Sequence, residues 1–237
     1  MDQRAVFDIV FEDEWIIAIN KPIGILVHRT SISEDTEFVL QLLRNQIKKR
    51  VYPIHRLDRA TSGVLLFGKN KEVASLLNTS FRNHMVSKKY LAIVRGFVDE
   101  EARIDYPLKS GPFKPEQEAI TNYRKLEQTT LDAAISRYPT SRYSLVEIKP
   151  QTGRQHQIRK HFAHLRHPVI GDKKHGDCKH NKYFYEVLQI PRMLLHASQL
   201  SIEHPFGGQQ LCIEAPLDEL FTKALTILDF TKANPSK

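Results

Sequence analysis

The sequence predicts an α+β fold built on a largely antiparallel sheet. Three observations support this class. Strand-like segments outnumber helical ones, the helical segments fall between them at irregular intervals, and many connections contain Pro or Gly. A chain of 237 residues, 41% of them hydrophobic, is long enough to bury a substantial core in one large domain or two closely packed lobes.

The first half of the chain alternates strand and helix signals. An acidic turn at residues 12–14 joins two apolar strands, and the continuous apolar run 63–67 predicts a buried strand. Two helices are predicted from apolar spacing, one from Glu37 and one beginning near Asn70 as its N-cap. The two strands cover residues 6–11 and 15–19, a short extended segment covers 51–55, and the helical apolar positions are Phe38, Val39, Leu42, Leu43 and Ile47, then Val73, Leu76, Leu77 and Phe81.

The second half is richer in strands. The strand predicted at 88–98 has apolar residues on both sides, which indicates that both of its faces are buried. Further strands are predicted at 119–126, 143–149, 195–202 and 211–214, and amphipathic helices are predicted around Ile158, Phe162 and Leu165 and around Phe221, Leu225 and Leu228.

Composition excludes several classes of protein. A charged fraction of 26% with 10 Gly and 12 Pro is close to the globular average, which excludes disordered and collagen-like chains. No run of about 18 apolar residues occurs, and the first residues lack the apolar stretch of a secretory signal. Because the only cysteines are Cys178 and Cys212, a disulfide scaffold is excluded and we expect a cytoplasmic protein without membrane attachment.

The net charge of +8 is concentrated in one segment. Residues 151–182 contain eight Lys or Arg, two acids and six of the eleven His. A basic cluster of this kind usually faces a polyanion, although a solvated surface that keeps the protein soluble is the alternative.

The most informative loop lies at residues 55–63, between two apolar strands. Asp58 is its reactive candidate, because the neighbouring Arg56 and Arg59 would lower the pKa of a carboxyl group and keep it ionised. An ionised carboxylate can act as a nucleophile or as a base. The alternative is a capping or ion-pairing aspartate, since Asp, Thr and Ser all favour turns.

A second candidate site begins at the Gly153 turn and enters the predicted helix. Backbone N–H groups at a helix start would form an anion site together with the cationic and imidazole side chains nearby, and Arg159 is also placed to pair with a carboxylate. A phosphate-facing patch without a catalytic role is the alternative. The candidate contacts are Arg154, His156, Arg159, Lys160, His161, Lys173 and Lys174.

Three motifs, in order along the chain, carry a family resemblance. They are His-Arg-Leu-Asp-x-x-Thr-Ser-Gly at 55–63, Lys-Tyr-x-Ala-x-Val-x-Gly at 89–96 and Pro-x-Thr-Gly-Arg-x-His-Gln-Ile-Arg at 150–159. The segment Arg-Met-Leu-Leu-His-Ala at 192–197 is similar to a fourth, with Met193 where Leu is usual. Together they resemble the signature motifs of the RluA family of pseudouridine synthases.

The resemblance implies a pseudouridine synthase fold, a mixed and mostly antiparallel sheet in two lobes around a basic active-site cleft. It implies one catalytic domain over residues 1–237 without an S4 domain, and chemistry that needs neither a metal nor an organic cofactor. By position, Asp58 corresponds to the catalytic aspartate and Tyr90 to the tyrosine that stacks on the uracil and accepts the C5 proton. Arg159 corresponds to the arginine that pairs with the aspartate, and Arg56 to the arginine that replaces the extruded nucleotide in the RNA helix.

The implied reaction breaks the N1–C1′ bond of a uridine, turns the uracil and joins C5 to C1′. This reaction demands an anionic group beside the sugar, a platform that retains the detached base and a proton acceptor at C5, which are types that Asp58 and Tyr90 supply. Water must be kept out, and the target base must be extruded from the RNA helix. Taken alone, the spacing around Tyr90 favours a buried strand tyrosine. The resemblance implies uridine 65 of tRNA as the target, with ribosomal RNA as the alternative and no obligate protein partner.

Other interpretations rest on weaker patterns. The triplets at 28–30 and 196–198 have the His-x-Thr/Ser form of two-histidine phosphoesterases, although Arg29 interrupts the apolar flanking that such motifs need. His175, Cys178 and His180 could bind a metal, but the sequence offers no matching second pair. A non-catalytic RNA-binding protein is disfavoured by Asp58 within its complete motif.

Overall fold

The structure is a computed structural model that describes residues 7–28, 36–109, 111 and 113–231. In chain order its elements are β1 (Asp8–Glu12), β2 (Ile16–Lys21), α1 (Val39–Ile47), β3 (Tyr52–Pro53), β4 (Ser62–Gly68), α2 (Lys71–Arg82), β5 (Ser87–Arg95), β6 (Glu101–Asp105), β7 (Leu108–Lys109), β8 (Glu116–Gln117), β9 (Ile120–Leu131), β10 (Ser141–Pro150), α3 (Gln157–His164), α4 (Cys178–Glu186), β11 (Leu195–Glu203), β12 (Gln210–Glu214) and α5 (Glu219–Ile227).

The chain divides into two compact units that interleave along the sequence. The first unit comprises residues 1–88 and 197–216, and the second comprises 89–196 and 217–237. The expected α+β class with antiparallel strand pairing is confirmed in both units.

In the first unit, β2 lies between β1 and β4 and pairs antiparallel with each. All seven residues of β4 are buried, which confirms the inner strand predicted from the apolar run. Asp13 shapes the acidic turn between β1 and β2, because its Oδ1 accepts the N–H groups of Trp15 and Ile16 at 2.7 and 2.8 Å. The core combines strand residues with one face of α2 and includes Ile16, Ala18, Val64, Leu66, Val73, Leu77, Leu200, Ile202 and Ile213.

The second unit is built on the strand order β5-β10-β9-β6, with antiparallel pairs throughout. Residues 91–94 of β5 are all buried, which confirms that both faces of this strand are covered. Helices α4 and α5 pack against β5 and β10 through a cluster that includes Leu91, Ile93, Tyr143, Leu145, Phe184, Phe221 and Leu225.

Several boundaries differ from the predictions. Strand β5 ends at Arg95 rather than at 98, β9 continues to Leu131, and α1 begins at Val39 with Phe38 as its N-cap. Asn70 caps α2 as predicted, since its side chain accepts the N–H of Val73, but Leu76 is 44% exposed and does not join the core. The predicted first strand includes Val6, which lies outside the described residues.

Strand β6, the short β7–β8 pair and helix α4 were not predicted from the sequence. Helix α4 is mostly polar, and in the sequence it stands out only as part of a basic, His-rich segment. Its start had a readable signal, because Asp177 is an N-cap whose carboxylate accepts the N–H groups of Lys179 and His180. No helix within the described ranges is both long and apolar enough to cross a membrane.

Candidate active site

The loop that carries Asp58 lies in the first unit, between β3 and the inner strand β4. Leu57 and Thr61 are buried on either side of the half-buried Asp58, while Arg56 is exposed. The backbone carbonyl of Asp58 accepts the N–H of Thr61 at 3.0 Å and closes a tight turn. The aspartate therefore sits in a turn that is anchored at the end of a buried strand.

Lys21, the last residue of β2, anchors this turn. Its side chain is wholly buried, and its Nζ donates to the carbonyl oxygens of Pro22 at 2.7 Å, Thr61 at 2.8 Å and Arg59 at 3.4 Å. An ammonium group surrounded by carbonyls in this way ties the loop to the adjacent strand. Lys21 was not among the predicted site residues, although a lysine before Pro at the end of an apolar strand was the available sequence signal.

Two hydrogen bonds between Gly24 and Arg59 also anchor the loop. The N–H of Gly24 donates to the carbonyl of Arg59 at 2.8 Å, and Nε of Arg59 donates back to the carbonyl of Gly24 at 2.8 Å. Arg59 therefore orders the loop through its guanidinium.

His55, the first residue of the motif, supports β4 as a neutral acceptor. Its Nε2 accepts the N–H of Leu66 at 3.1 Å, and its ring stacks on Phe81 with centroids 5.0 Å apart. Burial, followed by the charge of Lys88, lowers the pKa of His55 from 6.5 to about 3. The imidazole is therefore uncharged at neutral pH, and its lone pair stays available to Leu66.

This burial predicts a loss of stability in mild acid. An unfolded chain binds a proton at His55 as pH falls below 6.5, whereas the folded chain resists protonation down to about pH 3. The free energy of unfolding should therefore fall with decreasing pH in that window, with His55 contributing at most about 1.4 kcal/mol per pH unit. Urea unfolding between pH 7 and 4 measures this slope.

The variant His55→Gln should remove this contribution, while His84→Gln, which changes an exposed histidine in the same unit, should leave the slope as it is. Equal slopes in the wild-type protein and His55→Gln would show that the imidazole is not held neutral.

Tyr90 lies in the second unit, on β5, opposite Ile148 of β10. It is partly exposed, whereas the four residues that follow it are buried. Tyr90 therefore stands where the buried stretch of the strand begins, with part of its side chain accessible to a ligand.

The second predicted site differs from expectation at the start of α3. The helix begins at Gln157, so Arg154 and His156 precede it rather than occupying its first turn, and His156 has φ 55°. Gln157 organises this segment: its Oε1 accepts from the Thr152 hydroxyl at 2.7 Å and from the Arg154 N–H at 2.9 Å. Its Nε2 donates to the carbonyl of Ile120 at 3.0 Å. Gln157 therefore links α3 to β9, a role that was not predicted from the sequence.

Arg159 is buried within the second unit and forms a two-point ion pair with Asp172. Its Nε lies 2.7 Å from Oδ2 and its Nη2 lies 2.8 Å from Oδ1 of the aspartate. Burial alone raises the pKa of the Asp172 carboxyl, but the hydrogen bonds from Arg159 and from the backbone of His175 and Lys174 outweigh it. The pKa therefore lies below its ordinary value and the carboxylate stays charged.

His161 was predicted as an anion contact, but it is fully buried, with Nδ1 2.9 Å from the Thr121 hydroxyl and Nε2 3.0 Å from the Tyr106 carbonyl, and so does not face an anion.

Four of the other predicted contacts fall into two groups. Arg154 and Lys160 donate to backbone carbonyls, those of Glu118 and Lys109, at 2.9 and 2.8 Å. Lys173 and Lys174 are exposed. Lys173 and Lys174 are therefore the more accessible cations, while Arg154, just before α3, and Lys160, within it, also contact neighbouring backbone.

Arg192, from the fourth motif, is held by contacts with the start of the last helix. Its buried guanidinium forms an ion pair with Asp218 and lies 5.4 Å from the ring centroid of Phe221. Burial lowers the pKa of Arg192 to about 10. Because Asp218 caps α5 by accepting the N–H of Phe221, this motif connects β11 to the last helix.

The metal and phosphoesterase interpretations gain no support from these contacts. Among the described residues no group of three or more His, Cys, Asp or Glu side chains could hold a metal ion, and His180 instead bonds to the hydroxyl of Tyr143 at 2.9 Å. Of the first His-x-Thr triplet, Arg29 and Thr30 lie outside the described residues, and His196 of the second is fully buried.

A sequence model of the RNA pseudouridylate synthases matches residues 15–164, which include the Asp58 loop, Tyr90 and Arg159. The chain therefore belongs to the RNA pseudouridylate synthase family, a class of RNA-modifying isomerases that convert uridine to pseudouridine. It is 47% identical over 227 residues to tRNA pseudouridine synthase C of Vibrio vulnificus, covering 91% of this chain and 93% of the relative. The protein of the same name from Salmonella typhimurium is 46% identical over 93% of this chain and 89% of the relative.

Solved structures share the fold. Human RNA Pseudouridylate Synthase Domain Containing 4 superimposes with a TM-score of 0.73 at 24% identity, covering 94% of this chain and 93% of that one. Human RNA Pseudouridylate Synthase Domain Containing 1 gives a TM-score of 0.71 at 23% identity. The predicted pseudouridine synthase fold is thus confirmed.

Proposed function

We propose that this isomerase acts on tRNA and modifies uridine 65. The observation that carries the proposal is the 46–47% identity, over more than nine-tenths of this chain, to proteins named tRNA pseudouridine synthase C. The identity extends over most of both chains and is therefore not confined to the catalytic motifs.

We assign the chemistry to three residues. Asp58 supplies the carboxylate at the sugar or base, Tyr90 stacks on the detached uracil and accepts the C5 proton, and Arg159 stabilises the ionised aspartate. The N1–C1′ bond breaks, C5 bonds to C1′ and the C5 proton is replaced by one at N1. No oxidation state changes and no water is consumed, so we propose a reaction that uses no metal and no organic cofactor.

The anchored turn around Asp58 supports this assignment. A reacting carboxylate must be held in a fixed geometry, and here the turn is tied to β2 by Lys21 and to Gly24 by Arg59. Arg56 is exposed on the same loop, as a side chain that replaces an extruded nucleotide must be.

We propose that residues 1–237 act as one catalytic domain and work in the cytoplasm.

We assign RNA phosphate contacts to Arg154, His156, Lys160, Lys173 and Lys174. The positive charge of the four Arg and Lys side chains, and the position of Arg154, His156 and Lys160 before or within α3, support the assignment. Lys173 and Lys174 are the most direct test because both are exposed and neither side chain is needed for the core.

Replacing both lysines, in Lys173→Gln/Lys174→Gln, should weaken tRNA binding and flatten its salt dependence. Each lost phosphate contact lowers the slope of log affinity against log salt by about 0.7–0.9. Fluorescence anisotropy with labelled tRNA, measured from low to physiological salt, gives this slope.

The matched control is Lys48→Gln/Lys49→Gln, which removes another adjacent and exposed lysine pair, in the first unit. Its slope should equal that of the wild-type protein. A slope unchanged in the Lys173/Lys174 variant would place the phosphate contacts elsewhere.

The substrate itself is tested by mapping. Purified protein is incubated with unmodified tRNA transcripts and with ribosomal RNA, and pseudouridines are located by reverse-transcription stops after carbodiimide treatment. We expect one modified position, uridine 65 of tRNA. Modification of ribosomal RNA alone would overturn the choice of substrate, and no pseudouridine in either RNA would overturn the proposed function.

A further inference from the structure

The carboxylate of Asp172 is the centre of a dense buried network. The residue is 1% exposed, and four donors contact its two oxygens. Arg159 supplies two of them, and the backbone N–H groups of Lys174 and His175 contact Oδ1 at 2.9 and 3.1 Å. Asp172 therefore joins a tight turn to the arginine that we place at the reaction.

The two-point contact determines how the guanidinium of Arg159 is oriented. A guanidinium is planar and carries five N–H donors in a fixed arrangement. Because Asp172 binds the Nε and Nη2 side, the plane of the group is set and the Nη1 donors are directed away from Asp172. A single-point contact would leave the plane free to rotate.

The turn that carries Asp172 is itself rigid. Gly171 has φ +81°, and a Cβ there would lie 1.9 Å from the carbonyl oxygen of Arg192, while a Cβ on Gly176 would lie 2.1 Å from the carbonyl oxygen of Asp172. Asn181 of α4 completes the turn: its Oδ1 accepts the N–H of Gly171 at 2.7 Å and its Nδ2 donates to the carbonyl of Asp172 at 2.8 Å. Residues 171–176 are thus anchored to a helix.

A second connection ties this turn to the helix that bears Arg159. Nε2 of His175 lies 2.9 Å from Nδ1 of His156, the residue just before α3. The turn therefore contacts α3 at Arg159 and the residue before it at His156, which leaves little freedom for the guanidinium to shift along the helix.

We propose that Asp172 is a positioning residue, which orients Arg159 for the reaction and is supported by Asn181. The inference rests on the proposed function of Arg159. A buried ion pair can also be purely structural, so the test must separate positioning from stability.

The variant Asp172→Asn keeps the size of the side chain and an oxygen for the two backbone N–H groups, but it removes the charge that binds Arg159. We expect kcat to fall about 100-fold, as a small misplacement of a reacting group can cause, while KM for tRNA stays within about threefold. In the free protein, the NMR signal of Arg159 Nε–H, assigned by its loss in Arg159→Lys, should shift and broaden.

Asp177 offers a matched control in the same segment. It also combines an ion pair, with Arg95, and two backbone N–H contacts, from Lys179 and His180. Asp177→Asn should lower thermal stability yet leave kcat and the Arg159 signal unchanged. A comparable loss of kcat in both variants would overturn the inference, because the effect would then be general destabilisation.

Should Asp172→Asn fail to fold, Asn181→Ala provides a milder change that loosens the turn without touching the ion pair. It should lower kcat about tenfold with KM preserved and broaden the Arg159 signal. If the Asp172→Asn protein folds and has the kcat of the wild-type protein, the positioning role of Asp172 is overturned, while the proposed function stands. If it does not fold, a wild-type kcat in Asn181→Ala has the same consequence. An inactive wild-type protein would overturn the proposed function itself.

Discussion

Replacing Asp58 by asparagine should abolish pseudouridine formation while the fold and the affinity for tRNA persist. The change preserves size and removes only the ionisable group, and the turn is held by backbone carbonyls of Arg59 and Thr61 rather than by the Asp58 carboxylate alone. Removal of a reacting group of this kind typically lowers kcat by at least about 10⁴-fold.

Tritium release from tRNA labelled at C5 of uridine measures turnover, and anisotropy measures binding. Asp132→Asn, which changes an exposed aspartate after β9, serves as the control and should retain full activity. Measurable turnover by purified Asp58→Asn, above that of a blank, would show that the carboxylate does not carry the reaction.

Replacing Gly63 by alanine should destabilise the protein severely, by on the order of 4 kcal/mol, because backbone atoms leave no space for the added carbon. The residue has φ +113°, and a Cβ would lie 2.2 Å from the carbonyl oxygen and 2.7 Å from the nitrogen of Ala197. Gly63 and Ala197 are both buried in the first unit, on the neighbouring strands β4 and β11, so neither can move aside without disrupting the core.

Gly24→Ala isolates the conformational part of this effect. Gly24 has φ +87°, but nothing lies within 4 Å of a Cβ placed there, so the cost should be only about 1 kcal/mol. Urea unfolding followed by circular dichroism measures both variants. Similar losses for the two would mean that β4 and β11 are not as closely apposed at Gly63 as the structure shows.

The strands could be predicted from the sequence where apolar residues form an uninterrupted run. Strand β4 is the clearest case, since its run of apolar residues is too short for a helix and is buried throughout. Strand β6 and helix α4 escaped prediction because their sequences are polar and their burial comes from tertiary packing of a few residues, such as Ile104 and Phe184.

The family and the candidate catalytic residues were also within reach of the sequence, because the motifs are long and occur in order. The supporting residues were not. Lys21, Gln157 and Asp172 act through contacts with residues distant in sequence, such as Thr61 and Ile120, and only the folded chain reveals those partners. Arg154 and His156 were predicted on the early turns of α3 but precede it, since the helix begins at Gln157.

We propose that Asp58, Tyr90 and Arg159 act on one nucleotide, and a crystal structure of the Asp58→Asn protein bound to tRNA is the decisive test. We expect one extruded uridine stacked on Tyr90, with residue 58 against its sugar and the guanidinium of Arg159 within hydrogen-bonding distance of residue 58. A bound uridine contacted by none of these three side chains, or the three side chains on separate surfaces, would contradict it.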